Sequence, residues 1–181
     1  MLRARIIPCL LIRQGGLVKT EKFKNHKYVG DPINAVKIFN EKQADELMVL
    51  DIDATVNKRE PEYELIKNLA TECRMPLCYG GGISTVEQAK YIIGLGVEKI
   101  SISYAAIENP DIITEIASEI GSQSIVVVLD IKKEKSFFKE YYGIRGHNGF
   151  KTHKLDLIEF VKKIESAGAG EIIINSIDND G

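Results

Sequence analysis

Residues 44–53 read ADELMVLDID and residues 169–178 read AGEIIINSID, so one strand-like stretch occurs twice in the chain. Residues 6–12 resemble residues 125–131 in the same way. The two offsets, 125 and 119 residues, indicate that the second half of the chain repeats the first with a small insertion. We expect that insertion at residues 132–154, as a hairpin-like excursion, because this stretch is charged and aromatic.

Between the repeated stretches, short apolar runs alternate with amphipathic runs of helical length. The predicted strands are residues 6–12, 47–52, 76–79, 99–103, 124–131 and 171–175. The predicted helices are residues 32–43, 61–73, 85–95, 110–120 and 155–167. Strands that are apolar on both faces and alternate with helices indicate a parallel sheet covered by helices. The repeat favours an α/β fold of the (β/α)8 TIM-barrel class, and no Gly-x-Gly-x-x-Gly motif supports a dinucleotide-binding sheet.

The length of the chain limits how much of a barrel it can form. A closed eight-unit barrel typically needs about 250 residues, and the chain has 181. We therefore expect a single barrel domain over residues 1–181, an incomplete barrel with about six βα units whose C-terminal βα units are missing. The alternative is an assembly unit whose open sheet edges pair between chains.

Composition and charge exclude several classes of protein. The chain has 24 Lys and Arg against 26 Asp and Glu, so its formal net charge is −2, with no basic field for nucleic acid or a membrane surface. The three cysteines form no Cys-x-x-Cys pair, and the three histidines lack metal-ligand spacing. The apolar run at 6–12 is too short to cross a bilayer. We predict a cytoplasmic protein that uses no metal and no cofactor.

A glycine triplet lies where a predicted strand passes into a predicted helix, because residues 76–85 read PLCYGGGIST. Glycine lets backbone N–H groups approach an anion closely, and the start of the following helix offers unpaired N–H donors. This junction therefore predicts a phosphate site. The alternative is a tight turn that requires glycine only for its backbone geometry.

Polar residues follow the predicted strands, at the edge where the active sites of such barrels lie. The most informative is Asp130, because a carboxylate that follows the very apolar run 125–129 needs a partner or a function. Asp51 and Asp53 follow the second strand, and they could instead cap the next segment. Asp180 could likewise shape a turn. Several carboxylates beside a phosphate-type loop predict acid–base chemistry on a phosphorylated metabolite.

The chain resembles the HisF family, the cyclase subunits of imidazole glycerol phosphate synthase, from end to end and in order. The matching segments are 5–10 (RIIPCL), 30–32 (GDP), 44–47 (ADEL), 50–52 (LDI), 80–83 (GGGI), 99–102 (KISI), 121–123 (GSQ), Asp130, 168–172 (GAGEI) and 178–181 (DNDG). The resemblance implies a (β/α)8 barrel that works with a HisH-like glutaminase. Ammonia from glutamine would pass through the barrel to its carboxyl rim. There a bisphosphorylated ribotide is cleaved and cyclised to imidazole glycerol phosphate, which is a lyase reaction of histidine biosynthesis.

The resemblance also assigns residues to the rim. We expect Asp130 and Asp180 to be catalytic. The substrate- and phosphate-binding candidates are Lys19, Asp51, Gly81, Gly82, Ser103 and Ser176. The family has aspartates on strands one and five, but Leu11 stands at the strand-one position. An Asn-Thr pair that the family has on strand four reads Ser103-Tyr104 here, and the bulkier Tyr104 could narrow the pocket.

At the opposite end of the strands the resemblance implies an ammonia gate of Arg5, Glu46, Lys99 and Glu171. The alternative for these four is a stabilising salt-bridge cluster. Glu98 stands where the family has an acidic contact to the glutaminase.

The gate residues match the family, whereas Leu11 and Tyr104 at the rim do not, and this combination leaves two hypotheses for the function. The first is the histidine-pathway cyclase. The second is a HisF-like subunit, of the kind encoded in surface-polysaccharide gene clusters, that relays ammonia for amidation of a sugar and has little cyclase activity.

Overall fold

The computed structural model describes residues 4–135 and 140–181. In chain order its strands are β1 (Cys9–Arg13), β2 (Gly16–Glu21), β3 (Lys24–Gly30), β4 (Leu47–Asp51), β5 (Leu77–Gly80), β6 (Lys99–Ile102), β7 (Ile125–Lys135), β8 (Glu140–Gly146), β9 (Lys151–His153) and β10 (Glu171–Ser176). Its helices are α1 (Pro32–Lys42), α2 (Tyr63–Glu72), α3 (Val86–Gly94), α4 (Tyr104–Glu108), α5 (Asp111–Ile120) and α6 (Leu157–Ser166). Short 3₁₀ turns lie at Ser122–Ser124 and Ile177–Asn179.

Six strands run parallel and form one sheet in the order β1-β4-β5-β6-β7-β10. At least one helix separates each of these strands from the next along the chain, which is the connection of (β/α) units. Within the described residues β1 pairs with β2 and β4 and β10 pairs with β7 alone, so the sheet is open between β1 and β10. The predicted α/β class and the incomplete barrel of six units are confirmed.

Two antiparallel hairpins extend this sheet, and the sequence analysis did not resolve their strands. The first, β2–β3, follows β1 and pairs with it, and the second, β8–β9, pairs with the long strand β7. The hydrophobic pattern did not reveal these strands because polar residues and glycine interrupt their apolar residues, and β3 is exposed along most of its length. The predicted insertion 132–154 covers β8, β9 and the end of β7, and its residues 136–139 lie outside the described ranges.

The observed ends of some elements differ from the predicted ends for local reasons. The first predicted strand, 6–12, begins only at Cys9, since the N–H of Ile6 donates to the Asp45 carboxylate at 2.8 Å and Pro8 has no N–H to donate. Helix α4 was not predicted, because five residues are too few to show a helical period.

The parallel strands are apolar on both faces because both faces are covered, one by the helices and the other by side chains inside the barrel. One face carries Leu47, Val49 and Leu77, which pack in the core formed with the helices. The other face carries Met48 and Cys78, which pack with neighbours on the inside of the barrel. This alternation fixes which residues of each strand face the interior, and it therefore positions the site.

The helices start where side chains satisfy their free N–H groups. The carboxylate of Asp31 accepts from the N–H of Asn34 at the start of α1. At the start of α3, Thr85 and Gln88 form a capping box. Within the ranges 4–135 and 140–181, no helix combines the length and the apolar character that crossing a bilayer requires.

Candidate active site

One cavity of about 550 Å³ extends along the inside of the barrel. Arg5, before β1, lines its amino end, and Asp130, near the carboxyl-terminal part of the parallel ladder of β7, lines its other end. Gly81, Gly82 and Ser103 line the same cavity. We call the carboxyl end of the parallel strands the mouth. The parallel strands therefore bring the predicted acid and the glycine triplet to one cavity.

Asp130 is the carboxylate of the mouth with the most perturbed environment. Burial raises its pKa to about 6, a hydrogen bond from Asn175 Nδ2 at 2.9 Å opposes that rise, and the nearby charge of Asp180 adds to it. Asp130 and Asn175 are direct partners in the β7–β10 ladder. A carboxyl with a pKa near 6 can both donate and accept a proton near neutral pH. The role of Asp130 in catalysis stays a prediction.

Sequence reasoning placed Asn175 at the end of a strand but gave it no role, although a signal for one was available. Leu50 occupies the equivalent position in the first copy of the repeated stretch, and both residues line the cavity. A polar residue at a position where the first copy has an apolar one indicates a polar partner nearby. For Asn175 that partner is Asp130, to which it donates a hydrogen bond. Leu11, at the family's strand-one aspartate position, also lines the cavity.

The glycine triplet, residues 80–82, forms a bend packed tightly against its neighbours, and we call it the glycine bend. Gly81 and Gly82 have φ values of +117° and +76°, which favour glycine. A Cβ on Gly81 would lie 2.4 Å from the Asp51 carbonyl oxygen, and one on Gly82 would lie 2.8 Å from the Arg59 carbonyl oxygen. The Gly82 N–H donates to the Thr55 hydroxyl at 3.2 Å. Packing alone therefore requires these glycines, and their phosphate role stays a prediction.

Asp51 holds the loop that follows β4. Its Oδ1 accepts from the N–H groups of Asp53 and Ala54 at 2.9 and 3.0 Å, and Arg59 reaches its Oδ2 at 3.2 Å. The side chain is almost fully buried. This is the capping alternative that the sequence left open for Asp51. A contact of Asp51 with substrate remains a prediction, although the residue lines the cavity.

Asp180 ties the β2–β3 hairpin to the mouth. Its Oδ2 accepts from the Thr20 hydroxyl at 2.7 Å and from the Phe23 N–H at 2.8 Å. Asp180 lines the central cavity, whereas Lys19 lines a smaller neighbouring hollow that also contains Asp180. Ser176 is not a lining residue of the central cavity, and its hydroxyl accepts from Asn179 Nδ2 at 3.0 Å. Lys19 and Ser176 are thus set apart from the group around Asp130.

The four residues of the predicted gate form a closed ring of ion pairs, which we call the charged ring. Arg5 contacts Glu46 at 2.7 Å and Glu171 at 2.9 Å, and Lys99 contacts each of the same carboxylates at 2.8 Å. Burial opposes charge on Lys99, but hydrogen bonds to Glu171 and Glu46 outweigh it and raise the pKa of Lys99. Burial likewise acts against ionised Glu171, yet Lys99 and Arg5 lower its pKa. These shifts favour the charged forms of Lys99 and Glu171.

Glu98 lies beside the charged ring at the start of β5 and β6. Its Oε2 accepts from the N–H of Leu77 at 2.7 Å, and its own N–H donates to the Leu77 carbonyl at 3.1 Å. The residue is exposed, so its second carboxylate oxygen can meet a partner while the first caps β5. Among the described residues no group of three His, Cys, Asp or Glu side chains could hold a metal ion.

Comparison with known proteins identifies relatives along the whole chain. The sequence profile of the family described as histidine biosynthesis protein matches residues 5–181. All 181 residues align at 61% identity with 69% of a Vibrio vulnificus protein named "Putative imidazole glycerol phosphate synthase subunit hisF3". They align at 52% identity with 71% of a Pseudomonas aeruginosa protein named "Putative imidazole glycerol phosphate synthase subunit hisF2". They align at 44% identity with 70% of "Imidazole glycerol phosphate synthase subunit HisF" from Pyrococcus furiosus.

Proposed function

The chain belongs to the HisF family of histidine biosynthesis proteins, and from this premise we propose that it is the cyclase subunit of a glutamine amidotransferase. In this proposal a glutaminase subunit supplies ammonia at the charged ring. The ammonia reacts at the mouth with a phosphorylated ribotide, which is cleaved and cyclised to imidazole glycerol phosphate. The names of the relatives support the subunit and its product.

One observation carries the proposal: a single cavity has a residue of the charged ring at one end and Asp130 at the other. Between these ends the lining is largely apolar and includes Ile7, Met48 and Val128. Neutral ammonia crosses such a lining more readily than ammonium does, because the ion would lose its hydration there. A cavity that leads from the charged ring to Asp130 suits an enzyme that uses ammonia released by another subunit.

Asp130 is the residue we propose for proton transfer. With a pKa raised to about 6 by burial, it is mostly ionised at pH 7.5 and ready to accept a proton from the substrate. Once protonated, it can return that proton to a leaving group. The Asn175 amide fixes one carboxylate oxygen, Oδ1, so that Oδ2 is left for the substrate.

A turnover assay tests the cyclase proposal. Purified protein is given the ribotide with ammonium salt at pH 8, so that no glutaminase is needed, and imidazole glycerol phosphate is measured. The proposal expects turnover that Asp130→Asn reduces by about 10²–10⁴-fold. Absence of any turnover by the unmodified protein would exclude the cyclase function.

Leu11 is the observation that favours a second candidate, an ammonia-relay subunit for amidation of a sugar. Leu11 lines the cavity with Asp130, so the mouth has an apolar side chain where the family has a second acid–base group. Loss of one such group typically lowers the rate about 10²–10⁴-fold. The chain is also more similar to the hisF3 and hisF2 proteins than to the HisF subunit of Pyrococcus furiosus.

The Leu11→Asp variant separates the two candidates. If the protein is a cyclase working with one acid–base group, the new carboxylate should raise ribotide turnover, and Leu11→Asn is the matched control without the charge. If the protein is a relay, neither variant turns over ribotide, and the unmodified protein still binds a glutaminase and stimulates glutamine hydrolysis.

A further inference from the structure

Asp130 has an arginine as its direct neighbour across the β7–β8 hairpin. The register pairs Asp130 with Arg145, and directly opposed residues of an antiparallel pair share one face of the sheet. The Cβ atoms of such a pair are typically about 4.5–5.5 Å apart, which an arginine side chain easily spans. An ion pair between the two would be the expected contact. Arg145 instead contacts Glu134, and Asp130 accepts from the Asn175 amide.

Glu134 holds the guanidinium of Arg145 away from Asp130. Arg145 Nη2 contacts Glu134 Oε1, and Arg145 Nη1 donates to the hydroxyl of Thr152, its register partner on β9. Glu134 shares the face of Asp130 but lies further along β7, so the ion pair draws the arginine along the hairpin and away from the parallel strands. Asp130 lines the cavity, whereas Arg145 is not among its lining residues.

The hairpin keeps Glu134 in this place from two sides. Tyr141, opposite Glu134 in the register, donates its hydroxyl to Glu134 Oε2 at 2.9 Å. Gly143 lies between Tyr141 and Arg145 on the same face, and a Cβ there would be 2.8 Å from Glu134 Oε1. Glycine thus leaves open the path along which carboxylate and guanidinium meet. The Arg145 and Glu134 side chains are 17% and 21% exposed, so water screens their attraction weakly.

The other charged groups around Asp130 do not supply a cation. Asp180, after β10, adds to the rise in its pKa, and burial raises the pKa of the nearby Cys9 thiol on β1 to about 12, so that thiol is neutral. Lys132 shares the face of Asp130 on β7 but is exposed, where water screens its charge. The charged residue of β6, Lys99, belongs to the charged ring at the other end of the strands.

We propose that Glu134 is a positioning residue for Asp130: by binding Arg145, it withholds a cation from the carboxyl that the proposed function uses for proton transfer. The catalytic meaning of this inference rests on the proposed function, because it names a residue that tunes the same site. An arginine beside an aspartate typically lowers the pKa of the carboxyl by about 1–3, which makes the carboxylate a weaker base near neutral pH. Glu134 thus keeps Asp130 able to accept and return a proton.

Carbon-13 NMR titration of the Asp130 carboxyl in the whole protein tests the inference without turnover. Glu134→Gln removes the charge that holds Arg145, and we expect the titration midpoint of Asp130 to move about 1–3 pH units lower. In the double variant Glu134→Gln with Arg145→Gln, the midpoint should return to that of the unmodified protein. Glu140→Gln is the matched control, because it removes a carboxylate that pairs with Lys133 on the same hairpin, and it should leave the midpoint unchanged.

The outcomes separate this inference from the cyclase proposal. A lower midpoint in Glu134→Gln that is absent from Glu140→Gln and from the double variant supports the inference, whether or not the protein turns over ribotide. An unchanged midpoint, an equal decrease in Glu140→Gln, or a decrease that persists without Arg145 overturns it and leaves the cyclase intact. Absence of turnover by the unmodified protein excludes the cyclase, and the midpoints still decide the inference.

Two further measurements keep the test decisive. Where ribotide turnover is measurable, Glu134→Gln should move the acid limb of the kcat/KM profile to lower pH together with the NMR midpoint, and a limb that does not move overturns the positioning role. Thermal unfolding reports whether each variant is folded. If Glu134→Gln is not folded, Tyr141→Phe replaces it, because it frees one oxygen of Glu134. Tyr141→Phe should lower the midpoint by a smaller amount, and an unchanged midpoint overturns the inference.

Discussion

The two ends of the barrel use charge in opposite ways. At the amino end, the two cations and two anions of the charged ring neutralise one another, and the shortest contact of each of the four pairs is between 2.7 and 2.9 Å. At the mouth, no cation lies within salt-bridge distance of Asp130 among the residues that the structure describes, and its hydrogen-bond partner is the neutral amide of Asn175. The ion pairs hold Lys99 and Glu171 in their charged forms, whereas the carboxyl of Asp130, which lacks a cation, titrates near neutrality.

A second difference concerns what the acidic residues hold. Asp51 and Asp180 organise loops around the mouth through backbone and hydroxyl donors. Asp130 has no loop to organise in the described residues, and it faces the cavity. Aspartates that follow strands in the same way in the sequence therefore have different roles: Asp51 and Asp180 hold loops, and Asp130 faces the cavity.

The largest expected effect is on activity at the mouth. Asp130→Asn should lower kcat for ribotide and ammonium by about 10²–10⁴-fold, because it removes the proposed proton-transfer group. Asp178→Asn is the matched control on the same rim, since Asp178 accepts from the Lys133 N–H and is not among the residues lining the cavity. An equal decrease of kcat in both variants would mean that loss of any carboxylate at the mouth impairs the enzyme, and would contradict a specific role of Asp130.

The next effect is on stability at the charged ring. Glu46→Gln should lower the free energy of unfolding by about 2–4 kcal/mol, measured by urea denaturation, since it leaves Lys99 and Arg5 facing only Glu171. This decrease in the free energy of unfolding is smaller than for a fully buried ion pair, because the Arg5 side chain is 44% exposed. Glu119→Gln, which breaks the exposed pair with Lys90, is the control and should change little. A ring variant as stable as the control would contradict its structural role.

The third effect is on the pH dependence of stability. The pKa of Asp130 is about 6 in the folded protein and about 3.9 in the unfolded chain. The folded state therefore binds the proton more tightly, and the wild type loses about 2–3 kcal/mol as pH rises from 4 to above 6. Asp130→Asn lacks this loss, so its stability relative to wild type should be greater at pH 7.5 than at pH 4.

Asn175→Ala tests the same carboxyl from its partner's side. Since the hydrogen bond from Asn175 lowers the pKa of Asp130 against burial, its removal should move the acid limb of the kcat/KM profile to higher pH. A change in kcat without any shift of the profile would mean that Asn175 acts only as packing.

The smallest effect is expected beside the charged ring, where the proposed partner docks. Glu98→Lys should weaken glutaminase binding by about tenfold, measured by titration of the two purified subunits. Glu98→Gln keeps an oxygen acceptor for the Leu77 N–H and removes only the charge. If Glu98→Gln binds as the wild type does while Glu98→Lys does not, the effect of lysine is loss of the β5 cap rather than loss of a contact between subunits.

Much of this arrangement could be predicted from the sequence. An apolar run such as residues 125–129 is typical of a buried strand, and the alternation of such runs with predicted helices indicated the parallel sheet that the structure has. The four members of the charged ring could be predicted from the resemblance. Glu46, Lys99 and Glu171 stand at or directly before the first residue of a strand, and Arg5 lies before β1. Boundaries were less accurate where Pro8 and a side chain of Asp45 interrupt the pattern.

The sequence by itself determined the class of fold and the identity of the residues at each end of the strands, because hydrophobic period and strand direction are local properties. Only the tertiary structure decided how those residues act. Asn175 meets Asp130 through strand register, and Asn148 reaches Ile52 across the mouth, 96 residues apart in the chain. Burial of Asp130 arises from several strands together, so its raised pKa could not be derived from the residues around it in sequence.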